Sequence, residues 1–383
     1  KSFFMYFFLS IDFGAGLSHI ISSAAINGVP ILSVSEAEGF FFMYMVAAIA
    51  MLLSLMVFLA GTPHYRTVTT TEMIEHEGVL TRFGKTLMSG RGASMGKVAL
   101  LGWALIPCMM VTALIGAFEQ SSALQTKGDL MLGIVCVACL MTGHYNNSWL
   151  PEGNISKCLD WVPTIVAGSI CYGILEYGVI GSYFQSQACQ MDTRFNRHDV
   201  DSFQFNGDFF RLALTAGALV STPVLDGVIY PFYQKVVGTE VSVGLKITMG
   251  YLCVMCAQIL ALAIEYERRL VPVTDVESKC APLGPDGTHI HSSSMSAFWM
   301  LIPYFLCGVS EVLVFPTLQH VAYEGSPCEM RSLMQAFNVF AAGALPNAFA
   351  SVINRSLVTF VPNDLNKGNL PMVYTINCGI GVL

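Results

Sequence analysis

Charge is scarce in this sequence. Asp, Glu, Lys and Arg together make up 12% of its 383 residues, about half of what soluble domains carry, which argues against a water-soluble enzyme. Basic excess is missing too: the net charge is −7, so nothing electrostatic favours nucleic acid as a partner. The 12 cysteines are too dilute, and too often inside apolar runs, to form a disulfide scaffold. No Ser-His-Asp ordering, phosphate-cradling glycine loop or paired catalytic carboxylates stand on a polar segment, so no enzyme and no cofactor is expected. Cys136-x-x-Cys139 and Cys253-x-x-Cys256 have metal-like spacing, but both lie in apolar runs without a further ligand set, and His289-x-His291 reads as a solvated loop pair. No metal centre is expected.

Apolar side chains are what the chain does have, at 54% of residues and a mean hydropathy of +0.59. A hydrocarbon layer of about 30 Å takes roughly 20 helical residues to cross. Ten apolar runs approach or exceed that length, at 3–26, 40–62, 97–118, 128–145, 160–186, 209–233, 241–264, 295–322, 332–353 and from 371 onward. The fold class is therefore an all-α, polytopic membrane helix bundle, with the bilayer as its main partner. The first run starts immediately and the last reaches only about 20 Å at 1.5 Å per residue, so the sequence reads as a piece with helices missing upstream and its last helix cut short.

The polar connections orient the runs. Residues 66–96 carry Arg66, Arg82, Lys85 and Arg91, whereas 27–39 carry no Lys or Arg; the positive-inside rule puts the long segment in the cytoplasm. Within it Thr69 and Glu72 resemble a capping box, and Met73, Leu80, Phe83 and Leu87 share a helical face. An interfacial helix or a mobile linker both fit. Residues 265–294, rich in Pro, Gly and Ser, read as an exposed, flexible outer loop. Cys189 and Cys280 fall on that same outer side, where a disulfide is permissible.

An acid or base in mid-membrane costs roughly 2.5 to 3.5 kcal/mol on insertion scales and is a functional candidate by default. Four stand out: Asp12, Glu176, Asp226 and Glu311. Glu311 lies near the centre of its run, too far from either end to snorkel, and must face a cavity, a cation or a proton. The functional reading is a carboxylate that holds a positive ligand group; the structural one is a protonated packing residue. Glu176 stands mid-run beside Tyr177, whose hydroxyl shares its reach; the acid serves either as ligand contact or as partner to a cation of an upstream helix. Asp226 lies between Pro223 and Tyr230-Pro231 near a helix end and fits an interfacial acid. Asp12, followed by Gly14-Ala15-Gly16, fits an interhelical seam.

The residues around Glu311 resemble a known family. Trp299 to Leu306, then Ser310-Glu311-Val-Leu-Val, Tyr323, Pro327 sixteen residues after the acid, and Met330-Arg331-Ser332 are similar to the tenth core helix of the proton-dependent oligopeptide transporters of the major facilitator superfamily. Phe4 to Ser18 resembles the fifth helix, Phe40 to Tyr65 the sixth, Ser186 to Asp192 the end of the seventh in its eukaryotic form, and Pro223 to Pro231 the end of the eighth. The resemblance divides the chain into the remainder of an N-terminal bundle (1–65), a cytoplasmic loop (66–96), a two-helix insertion (97–145) that could instead be a re-entrant hairpin, and a C-terminal bundle (159–383).

It implies proton-coupled symport of di- and tripeptides by alternating access, in the plasma membrane or an organelle membrane. Peptide and protons would be the partners, and Glu311 would hold the peptide ammonium. Glu176 and Tyr177 join it as substrate-binding candidates, with Glu176, Asp226 and Asp12 as gating or proton-linked candidates. The sequence departs from the family at several points. Gly178 stands where the seventh-helix acid aligns, Leu214-Thr215 where the eighth-helix Asn falls, Phe315 and His320 where Ser and Glu are usual, and Asp12 where the fifth helix has Asn. Two other readings are a truncated or non-transporting membrane subunit, and a relative carrying nitrate, amino acids or another small solute.

Overall fold

Inside a bilayer the backbone has no water to bond with, so each apolar run closes its own hydrogen bonds as a helix. The computed structural model describes residues 2–29, 32, 34–64, 79–118, 123–151, 153–176, 183–200, 202–284, 287–328 and 330–382. In chain order its helices are α1 (Ser2–Ser22), α2 (Ala24–Asn27), α3 (Gly39–Gly61), α4 (Val79–Ser89), α5 (Ser94–Phe118), α6 (Ala123–Gly143), α7 (Asn154–Leu159), α8 (Val162–Leu175), α9 (Gln185–Cys189), α10 (Leu212–Val224), α11 (Tyr230–Val237), α12 (Val243–Leu270), α13 (Leu301–Glu324), α14 (Arg331–Val339), α15 (Leu345–Ser356) and α16 (Leu370–Val382). Among the described residues six helical stretches are long and apolar enough to cross a membrane: Glu36–His64, Ser94–Thr112, Ile155–Leu175, Gly207–Val237, Val243–Leu270 and Ala297–Glu324. Two of the expected runs are jointed by π turns, at Leu225–Ile229 between α10 and α11 and at Phe340–Ala344 between α14 and α15. Pro223 and Pro231 flank the first; a ring without an N–H breaks the regular ladder there, and the wider turn absorbs the bend.

Helix α13 is the hub, held between α10 and α12 by small residues. A Cβ on Gly308 would collide with the Leu214 carbonyl, and one on Gly217 with the Phe305 carbonyl, so these two glycines let α10 and α13 touch backbone to backbone. On the other side Gly250 faces Val314, and its carbonyl accepts a 2.6 Å hydrogen bond from Ser310 Oγ. Small-residue seams of this kind replace the hydrophobic drive that lipid removes. Helix α1 packs on α10 in the same way: a Cβ on Gly16 would stand 2.8 Å from the Thr215 methyl, and Thr215 Oγ1 donates to the Asp12 carbonyl at 3.4 Å.

The outer end is more ordered than its composition suggests. The first residues of the expected loop extend α12 to Leu270, because Arg268, fully buried, donates to both oxygens of Glu265 at 2.7 and 2.8 Å while Arg269 bonds the same carboxylate at 2.8 Å. Strands β1 (Val273–Glu277) and β2 (His291–Ser293) then pair antiparallel, and a Cys189–Cys280 disulfide ties this hairpin to the end of α9. Burial opposes the charge of Asp192 beside it. Arg194 and Arg197, each donating at 3.0 Å, more than compensate and hold that carboxyl below its usual value.

Helix α4 falls in the segment expected to hold an interfacial helix or a linker, with Phe83 and Leu87 buried and the Phe83 ring edge-on to Trp103 at 5.0 Å; Thr69, Glu72 and Met73 lie outside the described residues. Helices α5 and α6 form an antiparallel hairpin, with Ala99 against Gly143 and Leu140 against Gly102. A buried relay fastens it. Trp103 Nε1 donates to His144 Nε2 at 2.8 Å, so the ring proton sits on Nδ1, which donates to Asn147 Oδ1 at 2.9 Å; Asn147 Nδ2 donates to Asp160 Oδ1 at 2.6 Å. Burial lowers the basicity of His144 against the opposing Asn147 bond and Asp160 charge. A histidine depressed in the folded state stabilises above its unfolded value of about 6.5 and loses that contribution as pH falls below it. Hydrogen exchange in α5 and α6 is therefore expected to speed up between about pH 7.5 and about pH 5.5 beyond the intrinsic chemical trend, and His144→Gln should abolish the difference. Equal pH response in the variant would contradict the relay.

Candidate functional site

Glu311 sits where α13 cannot turn, one residue after the Ser310 that bonds α12 and three after the Gly308 that touches α10. It is only 8% exposed. Glu176 follows the last residue of α8, its N–H bonded to the Gly173 and Tyr172 carbonyls, and is 5% exposed. The two carboxyls face each other within electrostatic reach. Ionised carboxylates only accept, so the two can bond to each other only when one of them carries a proton. What Glu311 faces in the fold is thus a second acid, and a proton or an incoming cation would relieve the repulsion between them.

Asp12 joins from α1, buried at 6% exposure and within electrostatic reach of both Glu311 and Glu176. Among the described residues its Oδ2 and Glu176 Oε2 have no hydrogen-bond donor, which leaves two acceptor atoms open in a dry setting. The cation acting on the pair is Arg211, from the turn that leads into α10. It is itself shared with Asp208, Nη1 to Oδ1 at 3.6 Å. Three carboxyls stand against one divided guanidinium, so a proton or an ammonium entering the cluster finds more acceptor groups than cations. The aromatic wall beside it is Tyr172, edge-on to Phe315 at 5.3 Å.

The structure thus brings together Glu311, Glu176 and Asp12. Tyr177 lies outside the described residues. Asp226 is not part of the cluster: it is exposed and lines a separate cavity of about 520 Å³ with Tyr230, Lys246 and His320, in which Lys246 Nζ stands 4.3 Å above the Tyr230 ring. Arg211 and Thr215 were absent from the sequence-based set. Arg211 begins an apolar run, where a cation is expected to reach for the interface, and only the fold turns it inward.

A family model described as the POT family matches residues 1–369. The chain belongs to the POT family. Family and fold are those of transporters rather than enzymes, and the chain is an integral, multi-pass membrane protein. It is 24% identical over 282 aligned positions to the protein NRT1/PTR FAMILY 2.9 of Arabidopsis thaliana, covering 70% of this chain and 45% of that protein. It is also 24% identical over 408 aligned positions to NRT1/PTR FAMILY 8.3 of the same plant, covering 100% and 63%; the chain thus spans roughly half the length of these relatives. Its fold is that of an auto-inhibited POT family peptide transporter, with a TM-score of 0.64 at 18% identity over 100% of this chain and 68% of the other. A POT family transporter in complex with a thioalcohol-conjugated peptide gives 0.58 at 15% identity over 98% and 66%. Another, in complex with 5-aminolevulinic acid, gives 0.56 at 17% over 98% and 66%.

The facing carboxyls make a stability prediction. Glu311→Leu strands the Glu176 carboxyl in an apolar pocket and is expected to cost about 1–3 kcal/mol, whereas Glu311→Gln keeps a donor for Glu176 and should cost under about 1 kcal/mol. Heat-induced unfolding in detergent checks this; equal losses would mean the two acids are not bonded.

Proposed function

We propose that this POT family chain is the core of a proton-coupled symporter that moves di- and tripeptides across a membrane by alternating access. The meeting of two buried acids, Glu176 and Glu311, carries the reading. In an apolar bundle one proton holds two acids together, and a peptide ammonium offers Glu311 the same charge with more hydrogen bonds. Ammonium and proton therefore compete for one carboxylate. When the ammonium docks on Glu311 the displaced proton stays with Glu176; when the substrate leaves, the pair recloses around a proton. Asp12, on the opposite bundle, offers a further carboxyl to the site, and rocking of the two bundles about this midplane site changes the side from which it is reached.

Solved family members in complex with a thioalcohol-conjugated peptide and with 5-aminolevulinic acid are compatible with such a site. The NRT1/PTR names of the plant relatives favour a second reading, a carrier for nitrate or another small solute. The excess of carboxyls around Glu311 weighs against an anion.

The test uses the full-length protein in proteoliposomes. Uptake of a labelled dipeptide is expected to rise with an inward proton gradient. Glu311→Gln should lower uptake of peptides with a free amino terminus at least about tenfold, with a smaller loss for amino-blocked ones. Dipeptide uptake indifferent both to the gradient and to Glu311→Gln would overturn the proposal. Gradient-driven uptake of nitrate in its place would establish the second reading, and no transport at all would point to a non-transporting subunit.

A further inference from the structure

A second set of contacts crosses between the bundles at their outer end, away from the carboxyl pair. His19 on α1 and Asp208 in the Gly207–Arg211 turn before α10 meet Nδ1 to Oδ2 at 2.9 Å, with side-chain exposures of 10% and 24%. Neutral hydrogen bonds surround them. Asn206 N donates to Ser23 Oγ at 3.1 Å, Asn27 Nδ2 to the Gln204 carbonyl at 2.6 Å, and Asn206 Nδ2 to the Ser22 carbonyl at 3.5 Å. At the rim Lys279 Nζ stands 2.5 Å from Glu36 Oε1. Of these ties, the His19–Asp208 pair is the one in which an added proton would set a new positive charge against a carboxylate.

We propose that His19 is a second proton site of the carrier, a latch that closes the outer mouth when it is protonated and grips Asp208. The inference rests on the transporter reading above. Neutral His19 can donate one hydrogen bond to Asp208; protonated His19 adds a full charge to that bond in a poorly hydrated seam, where it counts most. The other groups facing the latch are accounted for. Arg211 shares the second oxygen of Asp208 at 3.6 Å, Tyr304 of α13 lies within electrostatic reach of Asp208 and Arg211, and Asp12 and Glu311 lie deeper along the same helices. Lys279 and Glu36 neutralise each other at the rim. Arg211 connects the two proton sites, since its charge acts on both Asp208 and the Glu176–Glu311 pair. A latch that engages Asp208 loosens its claim on Arg211 and leaves the guanidinium freer to act on the carboxyl pair, so closing the mouth and changing the inner site are linked. His19 is a positioning residue here: it touches no substrate.

The experiment reads conformation directly. Full-length protein in liposomes carries a pair of labels on non-cysteine handles at Val29 and Val200, one on each side of the outer mouth, and the distance between them is followed as the outside is acidified. The closed population relative to the open one is expected to rise at least about threefold between about pH 7.5 and about pH 5.5. His19→Gln keeps a donor and should remove the pH response, Asp208→Asn should remove it from the other side, and His19→Lys should hold the mouth closed at both values. Should His19→Gln fail to fold, the Asp208→Asn and His19→Lys pair decides alone. A wild-type pH response preserved in His19→Gln, or in Asp208→Asn, overturns the latch. Labels that close with acid in a His19-dependent way, in a protein that takes up no peptide, would uphold the latch and reject the substrate reading instead.

Discussion

An acid buried among apolar helices has to be neutralised by something, and in the proposed function Glu311 and Glu176 neutralise each other through one proton. The rest of the bundle serves that bond. Glu311 is pinned on α13 by the Ser310 bond to α12 and the Gly308 contact with α10, and Glu176 is set at the end of α8, where the helix gives way. Loosening either seam by a fraction of an ångström would separate two groups that tolerate no water between them. Under the proposed function, tight glycine packing acts on chemistry as well as on stability, since it sets how closely the two acids face each other.

The two ends of the molecule solve different problems. The hairpin of α5 and α6 is fastened through the Trp103–His144–Asn147–Asp160 relay, whose direction follows from an indole that can only donate. The other end is stitched by a disulfide, a short β-hairpin and the Asp192 arginine fork. Between it and α1 lie polar ties, among them the contact of His19 with Asp208.

Much of this was legible in the sequence. Length and hydropathy give the bundle, and the insertion cost of charge singles out Glu311, Glu176 and Asp12, because no chain keeps an acid in hydrocarbon without a use for it. Their meeting was not legible. Residues 176 and 311 are brought together by the rotation of two helices, which periodicity alone does not set across so many intervening turns, and Glu176 read either as a ligand contact or as the partner of a cation from an upstream helix. His19, Asp208 and Arg211 were missed for a different reason: each sits at the margin of an apolar run, where a polar side chain is assumed to reach water. Residues 265–294 read as an exposed, flexible loop from their Pro, Gly and Ser, whereas the fold continues the helix to Leu270 and pairs two strands beyond it. Glu265, Arg268 and Arg269 instead pair among themselves and carry α12 onward.

The central claim is a proton held between two carboxyls in the middle of the bundle, and infrared spectroscopy sees it most directly. The full-length protein in lipid at neutral pH is expected to show the C=O stretch of a protonated carboxylic acid, shifted in heavy water and altered by both Glu311→Gln and Glu176→Gln. A spectrum with no such band, or one that neither substitution changes, would contradict the account.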